Sequence, residues 1–304
     1  MKVLVVVSGN HERVAPFVLE QTEALRLGGC EVGLFCVTGH GVFGYLQNLK
    51  PLKAAIHRFQ PDVVHAHYGL CGLLCTLQHK VPVVVTYHGS DINNKKMMCL
   101  SRIAMQRAAH NIFVSKALLM KAGKAAVRAS VIPCGVNLEV FRQMDRCEAR
   151  LRMGLQVNGC YVLFAGSFDN EVKNPQLAQE ACALLSPNVE LLELKGYTRQ
   201  EVALLLNAAD CLLMTSHSEG SPQVTKEALA CGCSVVSVDV GDVAEQLEGT
   251  DAGVIVERTP EAIATAIAAQ LNRERKVQNS KRIERFDNRW IVKHIIEIYK
   301  TIVS

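Results

Sequence analysis

The chain has 304 residues, 49% of them hydrophobic, which is enough for two domains of about 150 residues with separate apolar cores. No apolar run approaches the roughly 20 residues needed to cross a membrane, and the one at the N-terminus is too short for a signal peptide. These features argue against a membrane-spanning segment, and we expect a cytoplasmic protein.

Charge is divided unevenly between the two halves of the chain. Residues 1–145 contain 16 Lys and Arg against 8 Asp and Glu, whereas the remainder contains 17 against 21. A basic half indicates an anionic partner, either a phosphate-bearing acceptor or a membrane surface. Nucleic acid is not expected as a partner, since no recognition motif accompanies the charge.

We expect no metal site. The 12 cysteines are dispersed through apolar segments, where a free thiol behaves as a small hydrophobic side chain, and only Cys231 and Cys233 form a close pair. His65 and His67 have the spacing of a metal-binding pair, but no third ligand has a suitable position. The sequence also contains no Asp-x-Asp motif that would hold a metal.

The first half alternates predicted strands and helices, which indicates a parallel sheet covered on both faces. Strands are expected at residues 3–7, 31–37, 62–66, 81–87, 111–115 and 130–133. Polar residues mark the ends of the third and fourth strands, namely His65, His67 and Tyr68, and then His88-Gly89-Ser90-Asp91. Ligands of open α/β sheets bind at the carboxyl ends of the strands, so these residues are candidates for a binding site.

A glycine-rich segment follows the second strand and precedes a helix expected to begin near Pro51. We expect residues 39–50 to form a loop that carries Phe43 and Tyr45 close to Lys50 and Lys53. Exposed aromatic rings beside lysines could contact lipid or an acceptor. Packing of the loop against its own helix is the alternative interpretation.

The second half resumes after a polar stretch, residues 142–159, that we expect to link the domains. A predicted strand at residues 161–165 leads to Lys173, which precedes a helix opened by Asn174 and Pro175. An ammonium group at a helix N-terminus is electrostatically unfavourable unless an anion is bound there as well. Lys173 therefore predicts a phosphate-binding position.

Residues 215–238 contain the densest set of candidate site residues. A predicted strand at 211–215 leads to Ser221, a candidate N-cap, with Pro222 at the first helical position and a helix that ends at Gly232. The helix start offers backbone N–H groups and a positive dipole end to a phosphate. Glu219 and Glu227 frame it with carboxylates that could accept hydrogen bonds from sugar hydroxyls. The segment predicts a ligand with a diphosphate and a polyol, although two solvated acids on a surface helix would give the same spacing.

The pattern E-G-x-P-x4-E-A over residues 219–228 resembles the donor-site signature of retaining glycosyltransferases of family 4. The resemblance extends over nearly the whole chain and includes PDVVHAHYG, TYHGSD and IPCGVNLEVF. It implies an α/β protein of GT-B architecture, in which two Rossmann-like parallel-sheet domains face each other across a cleft. By resemblance these are an acceptor-binding domain over residues 1–145 and a nucleotide-sugar-binding domain over 146–285. A helix over 286–304 crosses back to the first domain, which would suit its stripe of isoleucines at positions 291, 295, 298 and 302.

The resemblance implies transfer of a hexose from a nucleoside diphosphate sugar to an acceptor hydroxyl, with retention at the anomeric carbon. It further implies a sugar or lipid-phosphate-linked acceptor, a pathway of bacterial-type polysaccharide or glycolipid synthesis, and no metal or other cofactor. With the basic first half, it leads us to expect a peripheral contact with the cytoplasmic face of a membrane.

Site roles are carried over residue by residue from the resemblance. Glu219 matches the Glu that contacts the transferred sugar, and Glu227 matches the Glu that holds the ribose. The residues expected to be catalytic are His88, Lys173 and Glu219. The residues expected to bind the donor are Gly9, Ser167, Lys173, Tyr197, Glu219, Gly220, Ser221, Pro222 and Glu227. The residues expected to bind the acceptor are Asn10, His67 and Asp91.

Ser167 departs from the family pattern, which usually has an Arg at this position. A hydroxyl can donate a hydrogen bond but adds no charge, so Lys173 is expected to be the only full positive charge on the diphosphate from the second domain. Two alternatives to a transferase remain, a nucleotide-sugar-binding subunit without catalysis and a GT-B UDP-sugar 2-epimerase. A dinucleotide oxidoreductase is disfavoured, because no G-x-G-x-x-G follows the first strand of either half.

Overall fold

The computed structural model describes residues 1–9, 14–271 and 283–304, and the chain divides into two compact units. The first unit comprises Met1–Gly135 with Phe286–Ser304, and the second comprises Val136–Arg285. The first break precedes the expected boundary at residue 145. The reason is local, because Asn207 of the second unit donates to the carbonyl of Arg142 (3.0 Å) and accepts from the backbone N–H of Met144 (2.9 Å).

The first unit contains a six-stranded parallel sheet. Its strands are β1 (Lys2–Ser8), β2 (Glu31–Val37), β3 (Val63–His67), β4 (Val83–Tyr87), β5 (His110–Phe113) and β6 (Ala129–Val131). They lie in the order β2-β1-β3-β4-β5-β6. Every residue of β3 and β4 is buried, as expected for central strands covered by helices on both faces. The strand order reverses between β1 and β3, which is where ligands of such sheets bind.

The helices of the first unit include one that the sequence did not predict. They are α1 (Pro16–Leu27), α2 (Gly41–Gln47), α3 (Leu49–Phe59), α4 (Gly69–Cys75), α5 (Ser90–Asn93), α6 (Lys95–Arg107) and α7 (Lys116–Ala122), followed by a 3-10 turn at Gly123–Ala125. The prediction of a loop at residues 39–50 was wrong, since α2 occupies most of this segment. The next helix begins at Leu49, and Pro51 fits in its first turn because N–H groups there have no intrahelical partner.

The C-terminal helix (Asn288–Val303) packs within the first unit, against α1 and the sheet. Ile291 and Ile295 are buried, while Ile298 and Ile302 are partly buried against the same core. Gly28, at the end of α1, has no side chain because a Cβ there would lie 2.9 Å from a methyl group of Ile296. The isoleucine stripe thus packs on the first domain as predicted.

The second unit contains a five-stranded parallel sheet. Its strands are β7 (Cys160–Phe164), β8 (Val189–Glu193), β9 (Cys211–Met214), β10 (Ser234–Val238) and β11 (Gly253–Val256), in the order β11-β10-β9-β7-β8. Its helices are α8 (Arg146–Arg152), α9 (Pro175–Ala183), α10 (Arg199–Ala208), α11 (Gln223–Ala230), α12 (Val243–Leu247) and α13 (Pro260–Leu271), with a 3-10 turn at Glu171–Lys173. Strand order reverses between β7 and β9, and such a reversal is called a switch point. The segments that carry Lys173 and Glu219 follow these two strands.

The stretch expected to be a linker is instead part of the second unit. Asp145 caps α8 by accepting from the backbone N–H of Glu148 (2.8 Å). Arg150 on this helix is buried, and one of its Nη atoms lies 3.0 Å from each carboxylate oxygen of Asp210. This buried ion pair, in which one nitrogen contacts both carboxylate oxygens, fixes α8 to the domain. Within the part of the chain that the structure describes, no helix is long and apolar enough to cross a membrane.

Candidate functional site

The loops that follow β7 and β9 lie side by side at the switch point of the second unit, because these strands are hydrogen-bonded neighbours. Thr215, at the end of β9, is fully buried and donates to the carbonyls of Lys173 (2.9 Å) and Asn174 (2.8 Å). Arg258 donates from its two Nη atoms to the carbonyls of Thr215 (2.7 Å) and Ser216 (3.0 Å). The Thr215 hydroxyl and a backbone hydrogen bond from His217 to the carbonyl of Val172 (2.9 Å) fix the two loops to each other.

Lys173 and Glu219 meet at this junction. The Nζ atom of Lys173 lies 2.6 Å from Oε1 of Glu219, and the two side chains are 24% and 14% exposed. Gly166 makes room for the lysine, since a Cβ at that position would lie 2.7 Å from Cγ of Lys173. The sequence predicted a phosphate beside Lys173. The anion that lies beside it in this structure is the carboxylate of Glu219, and binding of a phosphate stays a prediction.

The loop that carries Glu219 and Gly220 is supported by the turn after β10. Gly241 has a left-handed φ of 61°, and a Cβ there would lie 3.0 Å from Cβ of Glu219 and 3.2 Å from the carbonyl oxygen of Gly220. Gln246 donates to Asp242 (2.6 Å), and burial raises the pKa of the Asp242 carboxyl. The close packing leaves this loop little freedom.

The helix after this loop begins one residue later than the sequence predicted. Pro222 is the N-cap of α11 and Gln223 is its first residue, so Ser221 is not the cap. Ser221 instead hydrogen-bonds to Asp242 and lies within 3.4 Å of Nε2 of Gln246. No side chain caps the helix, whose first-turn N–H groups keep the positive dipole end that suits a phosphate. Gly232 has a φ of 68° and ends the helix as predicted.

Glu227 is almost completely buried, with 2% of its side chain exposed, and Oε1 accepts from Nη2 of Arg199 at 2.5 Å. The burial of Glu227 and near-burial of Glu219 rule out the alternative of two solvated acids. Arg199 was not among the site residues predicted from the sequence. It is the first residue of α10, and a cation at a helix N-terminus calls for a nearby anion, as at Lys173.

Ser167 takes part in a small charged network. Its hydroxyl donates to Oδ1 of Asp169, and Oδ2 of Asp169 accepts from Nζ of Lys195 (2.7 Å). The hydrogen bond from Lys195 lowers the pKa of Asp169, and the same bond raises the pKa of Lys195. A second cation, Lys195, which was not predicted from the sequence as a site residue, therefore lies near Ser167. Tyr197, beyond the end of β8, is 43% exposed.

Residues of the first unit also converge on a switch point. Gly9, directly after β1, donates to the carbonyl of Val37 (2.8 Å), and a Cβ there would lie 3.0 Å from Cβ of Cys36. Asn10 lies outside the described residues. Asp91 is buried and accepts from the backbone N–H groups of Gly89 (2.9 Å) and Gly69 (3.1 Å). Burial raises the pKa of Asp91 to about 6. These bonds hold the starts of α4 and α5, and contact of Asp91 with an acceptor stays a prediction.

Three histidine rings form a stack at the carboxyl ends of β3 and β4. The rings of His65 and His67 are 4.7 Å apart, and those of His67 and His88 are 5.2 Å apart. His65 contacts the hydroxyls of Tyr299 (2.5 Å) and Thr86 (2.7 Å). Burial lowers the pKa of His67 to about 3 and holds that of His65 well below its ordinary value, so both rings are neutral at physiological pH.

His88 is the partly exposed end of the stack. Its Nε2 lies 3.0 Å from Nδ1 of His67, and its Nδ1 lies 3.5 Å from the sulfur of Cys134. The rings of Phe17 and Tyr68 flank it at 4.9 and 4.7 Å. The ring is thus held in one orientation at the end of β4. Among the described residues, no group of three or more His, Cys, Asp or Glu side chains is arranged to hold a metal.

Comparison with known proteins agrees with this architecture. Residues 14–140 match the family model of Glycosyltransferase Family 4, and residues 145–273 match that of Glycosyl transferases group 1. The chain is similar over 99% of its length to sucrose-phosphate synthase from Thermosynechococcus elongatus, with a TM-score of 0.84, 18% identity and 99% of that chain covered. It is also similar over 99% of its length to Anabaena HepE in complex with UDP-glucose, with a TM-score of 0.75, 17% identity and 100% of that chain covered. These matches confirm the predicted GT-B fold.

Curated relatives are similar at the sequence level. TuaC of Bacillus subtilis, assigned as a teichuronic acid biosynthesis glycosyltransferase, is 28% identical over 235 residues, which cover 68% of this chain and 60% of TuaC. The D-inositol 3-phosphate glycosyltransferase of Pseudarthrobacter chlorophenolicus is 28% identical over 269 residues, which cover 70% of this chain and 64% of that protein. The chain thus spans about three-fifths of the length of these relatives. By its two family matches and its fold, the chain belongs to family 4 of the glycosyltransferases, within the group 1 enzymes.

Proposed function

We propose that the protein is a retaining glycosyltransferase that moves a hexose from a nucleoside diphosphate sugar to an acceptor hydroxyl without a metal ion. The observation that carries the proposal is the ion pair of Lys173 and Glu219 at the switch point of the second unit, with the buried Glu227 on the helix that follows the Glu219 loop. A cation, a helix N-terminus and two nearly buried carboxylates suit a ligand that combines a diphosphate with sugar hydroxyls. Family membership and the UDP-glucose bound to HepE support the same donor class.

The proposed mechanism is electrostatic. Cleavage of the glycosidic bond leaves negative charge on the diphosphate, and Lys173 with the first-turn N–H groups of α11 stabilises that charge as it develops. Glu219 accepts hydrogen bonds from the transferred sugar while its ion pair orients Lys173. Glu227 accepts from the ribose hydroxyls and so fixes the nucleoside end of the donor. His88 is proposed as a further catalytic residue by its resemblance to the family.

The acceptor is proposed to be a sugar or a lipid-phosphate-linked molecule in polysaccharide or glycolipid synthesis. The transfer is proposed to take place at the cytoplasmic face of a membrane. Support comes from the charge of the first half and from α2, where the Phe43 side chain is 75% exposed. Lys50 and Lys53 on the following helix are exposed as well. An exposed aromatic ring beside lysines suits a weak, reversible contact with anionic lipid.

The experiment that tests this function is a donor screen with UDP-, GDP- and ADP-sugars in the presence and absence of EDTA. We expect hydrolysis or transfer with one class of donor, unaffected by EDTA, and NMR of the product should show the anomeric configuration of the donor. Binding of a donor without any hydrolysis or transfer would instead favour a non-catalytic subunit. Conversion of a UDP-sugar into its 2-epimer would favour the epimerase.

A further inference from the structure

The ion pair between Arg199 and Glu227 has features that a surface salt bridge lacks. The carboxylate is nearly inaccessible, and Arg199 approaches it to 2.5 Å from a side chain that is 26% exposed. Cζ of Arg199 also lies 4.5 Å from the ring centroid of Phe141, whose ring is buried. A guanidinium group stacked on an aromatic ring and paired with a carboxylate has few alternative orientations. Arg199 therefore restrains one oxygen of the Glu227 carboxylate.

Arg199 is not needed to start the helix on which it lies. Thr198 and Glu201 form a complete capping box at the N-terminus of α10, with the threonine side chain and the glutamate side chain each accepting from the other's backbone. A cation as the first residue of a helix is unfavourable to the helix dipole. Its side chain instead contacts Glu227 and Phe141.

We propose that Arg199 is a positioning residue that determines donor specificity: it holds the Glu227 carboxylate so that the site selects ribonucleotides over deoxyribonucleotides. This inference rests on the proposed donor site. A carboxylate that accepts from the ribose hydroxyls loses a charge-assisted hydrogen bond when the 2′-hydroxyl is absent, and a site with an oriented acceptor penalises that loss most. Without Arg199 the carboxylate loses the group that orients it, and the penalty should shrink.

Calorimetric titration of the wild-type protein and its variants tests the proposal. The probes are UDP, GDP and ADP, and then the 2′-deoxy counterpart of whichever binds most tightly. We expect the wild-type protein to bind the ribonucleotide about tenfold more tightly than the deoxyribonucleotide. In Arg199→Met this ratio should fall to about threefold or less, and Arg199→Lys should restore part of it. Glu227→Gln should lower the ratio as far as Arg199→Met does.

A matched control separates positioning from structural support. Arg146 is 27% exposed and contacts the buried Asp210 at 2.6 Å, so Arg146→Met removes a comparable arginine–carboxylate contact away from the proposed ribose site. It should leave the nucleotide ratio unchanged. If Arg199→Met does not fold, Arg199→Lys and the double variant Arg199→Met/Glu227→Gln, which leaves no unpaired buried charge, carry the test. The double variant should match Glu227→Gln.

The outcomes distinguish this inference from the proposed function. A folded Arg199→Met that keeps the wild-type ratio overturns the inference and leaves the function in place. The same holds if the wild-type protein binds both nucleotides equally. If the wild-type protein binds none of the three nucleoside diphosphates, the proposed donor site itself is wrong and the inference falls with it.

Discussion

Lys173 and Glu219, which are separated by 46 positions in sequence, form an ion pair of 2.6 Å at the switch point of the second sheet. One residue follows β7 and the other follows β9, so the pair exists only because these strands are neighbours. On the proposed mechanism the two side chains serve different parts of one donor. A bound diphosphate would therefore share Lys173 with Glu219. The lysine would then be held from both sides, by the diphosphate and by the carboxylate.

The first prediction concerns the charge of Lys173. Lys173→Ala should lower turnover by about two to three orders of magnitude, which is the scale for loss of one preorganised donor to a developing charge. Nucleotide-sugar affinity should change far less, because the stabilisation grows as the glycosidic bond breaks. Steady-state kinetics and calorimetry of the same preparations separate the two effects.

Two further variants define the limits of this prediction. Arg152 lies on the exposed face of α8 in an ion pair with Glu148, so Arg152→Ala is a control that should leave turnover unchanged. Ser167→Arg in the Lys173→Ala background should recover part of the loss if both positions serve the same phosphate. Turnover of Lys173→Ala within about threefold of wild type would contradict the electrostatic mechanism.

The second prediction concerns the hydroxyl that joins the two loops. Thr215→Val keeps the shape of a fully buried side chain but leaves the carbonyls of Lys173 and Asn174 without their donor. We expect the free energy of unfolding to fall by about 1–3 kcal/mol and turnover to fall about tenfold through displacement of Lys173. Urea denaturation and steady-state kinetics measure these effects.

Thr225 provides the matched control. It is equally buried in the same unit, but its hydroxyl donates to the sulfur of Met214, a weak acceptor. Thr225→Val should therefore change the free energy of unfolding by less than about 1 kcal/mol. Equal losses in the two variants would show that the Thr215 hydrogen bonds do not specifically support the site.

The third prediction is a dependence of stability on pH that arises in the histidine stack. The pKa of His67 is about 3 in the folded protein, against an ordinary value of 6.5, so the unfolded state binds more protons between these values. Its contribution to stability is complete above pH 6.5 and is lost as the pH falls towards 3. From pH 7 to pH 5 the loss is about 2 kcal/mol, and His65 acts in the same direction.

Asp91 opposes this trend. Its pKa is raised to about 6 from an ordinary 3.8, so the folded state holds its proton more tightly and this group favours folding as the pH falls through 6.

Comparison with His67→Asn isolates the histidine, since this variant should lose about 2 kcal/mol less than wild type between pH 7 and pH 5. His79 is exposed with a left-handed φ of 54°, which Asn tolerates, and His79→Asn is the control. Parallel curves for wild type and His67→Asn would contradict the prediction.

The fourth prediction concerns the proposed contact with a membrane. Co-sedimentation with anionic vesicles should decrease as salt rises, since exposed charges are screened beyond about 8 Å at physiological ionic strength. Phe43→Ser should weaken this binding at constant salt, whereas Leu27→Ser, at a side chain that is 77% exposed on α1, should not. Equal binding to anionic and neutral vesicles, or to neither, would remove the membrane from the proposal.

Much of the fold could be predicted because its signals are local. The apolar runs of the central strands, the glycine that ends α11 and the isoleucine stripe of the C-terminal helix each follow from neighbouring residues. The same local signals failed at α2, where Gly39, Gly41 and Gly44 suggested a loop. In the structure the two outer glycines are in contact, since a Cβ on Gly44 would lie 2.7 Å from the carbonyl carbon of Gly39. The glycines thus mark close packing at the start of a helix.

The candidate site could be predicted as single residues but not as pairs. Glu227 was identified by its spacing from Glu219, yet its partner Arg199 lies 28 positions away on another helix. Thr215 is likewise visible in the sequence. No local pattern shows that its hydroxyl lies against two carbonyls of a loop more than 40 positions earlier. Such contacts depend on the order of strands in the sheet, which a pattern within one segment does not specify.

The first unit is built from two separate stretches of the chain, and this has a consequence for folding during synthesis. Residues 1–135 leave the ribosome before the rest of the residues described here, but the core that they form also contains Ile291, Ile295 and Tyr299 of the C-terminal helix. The second unit is continuous, and all of its residues are synthesised before that helix exists. Although it comes later in the sequence, the second unit can therefore complete its fold first. The apolar surface that the C-terminal helix covers in the first unit stays exposed until that helix is synthesised, and such a surface is prone to aggregation.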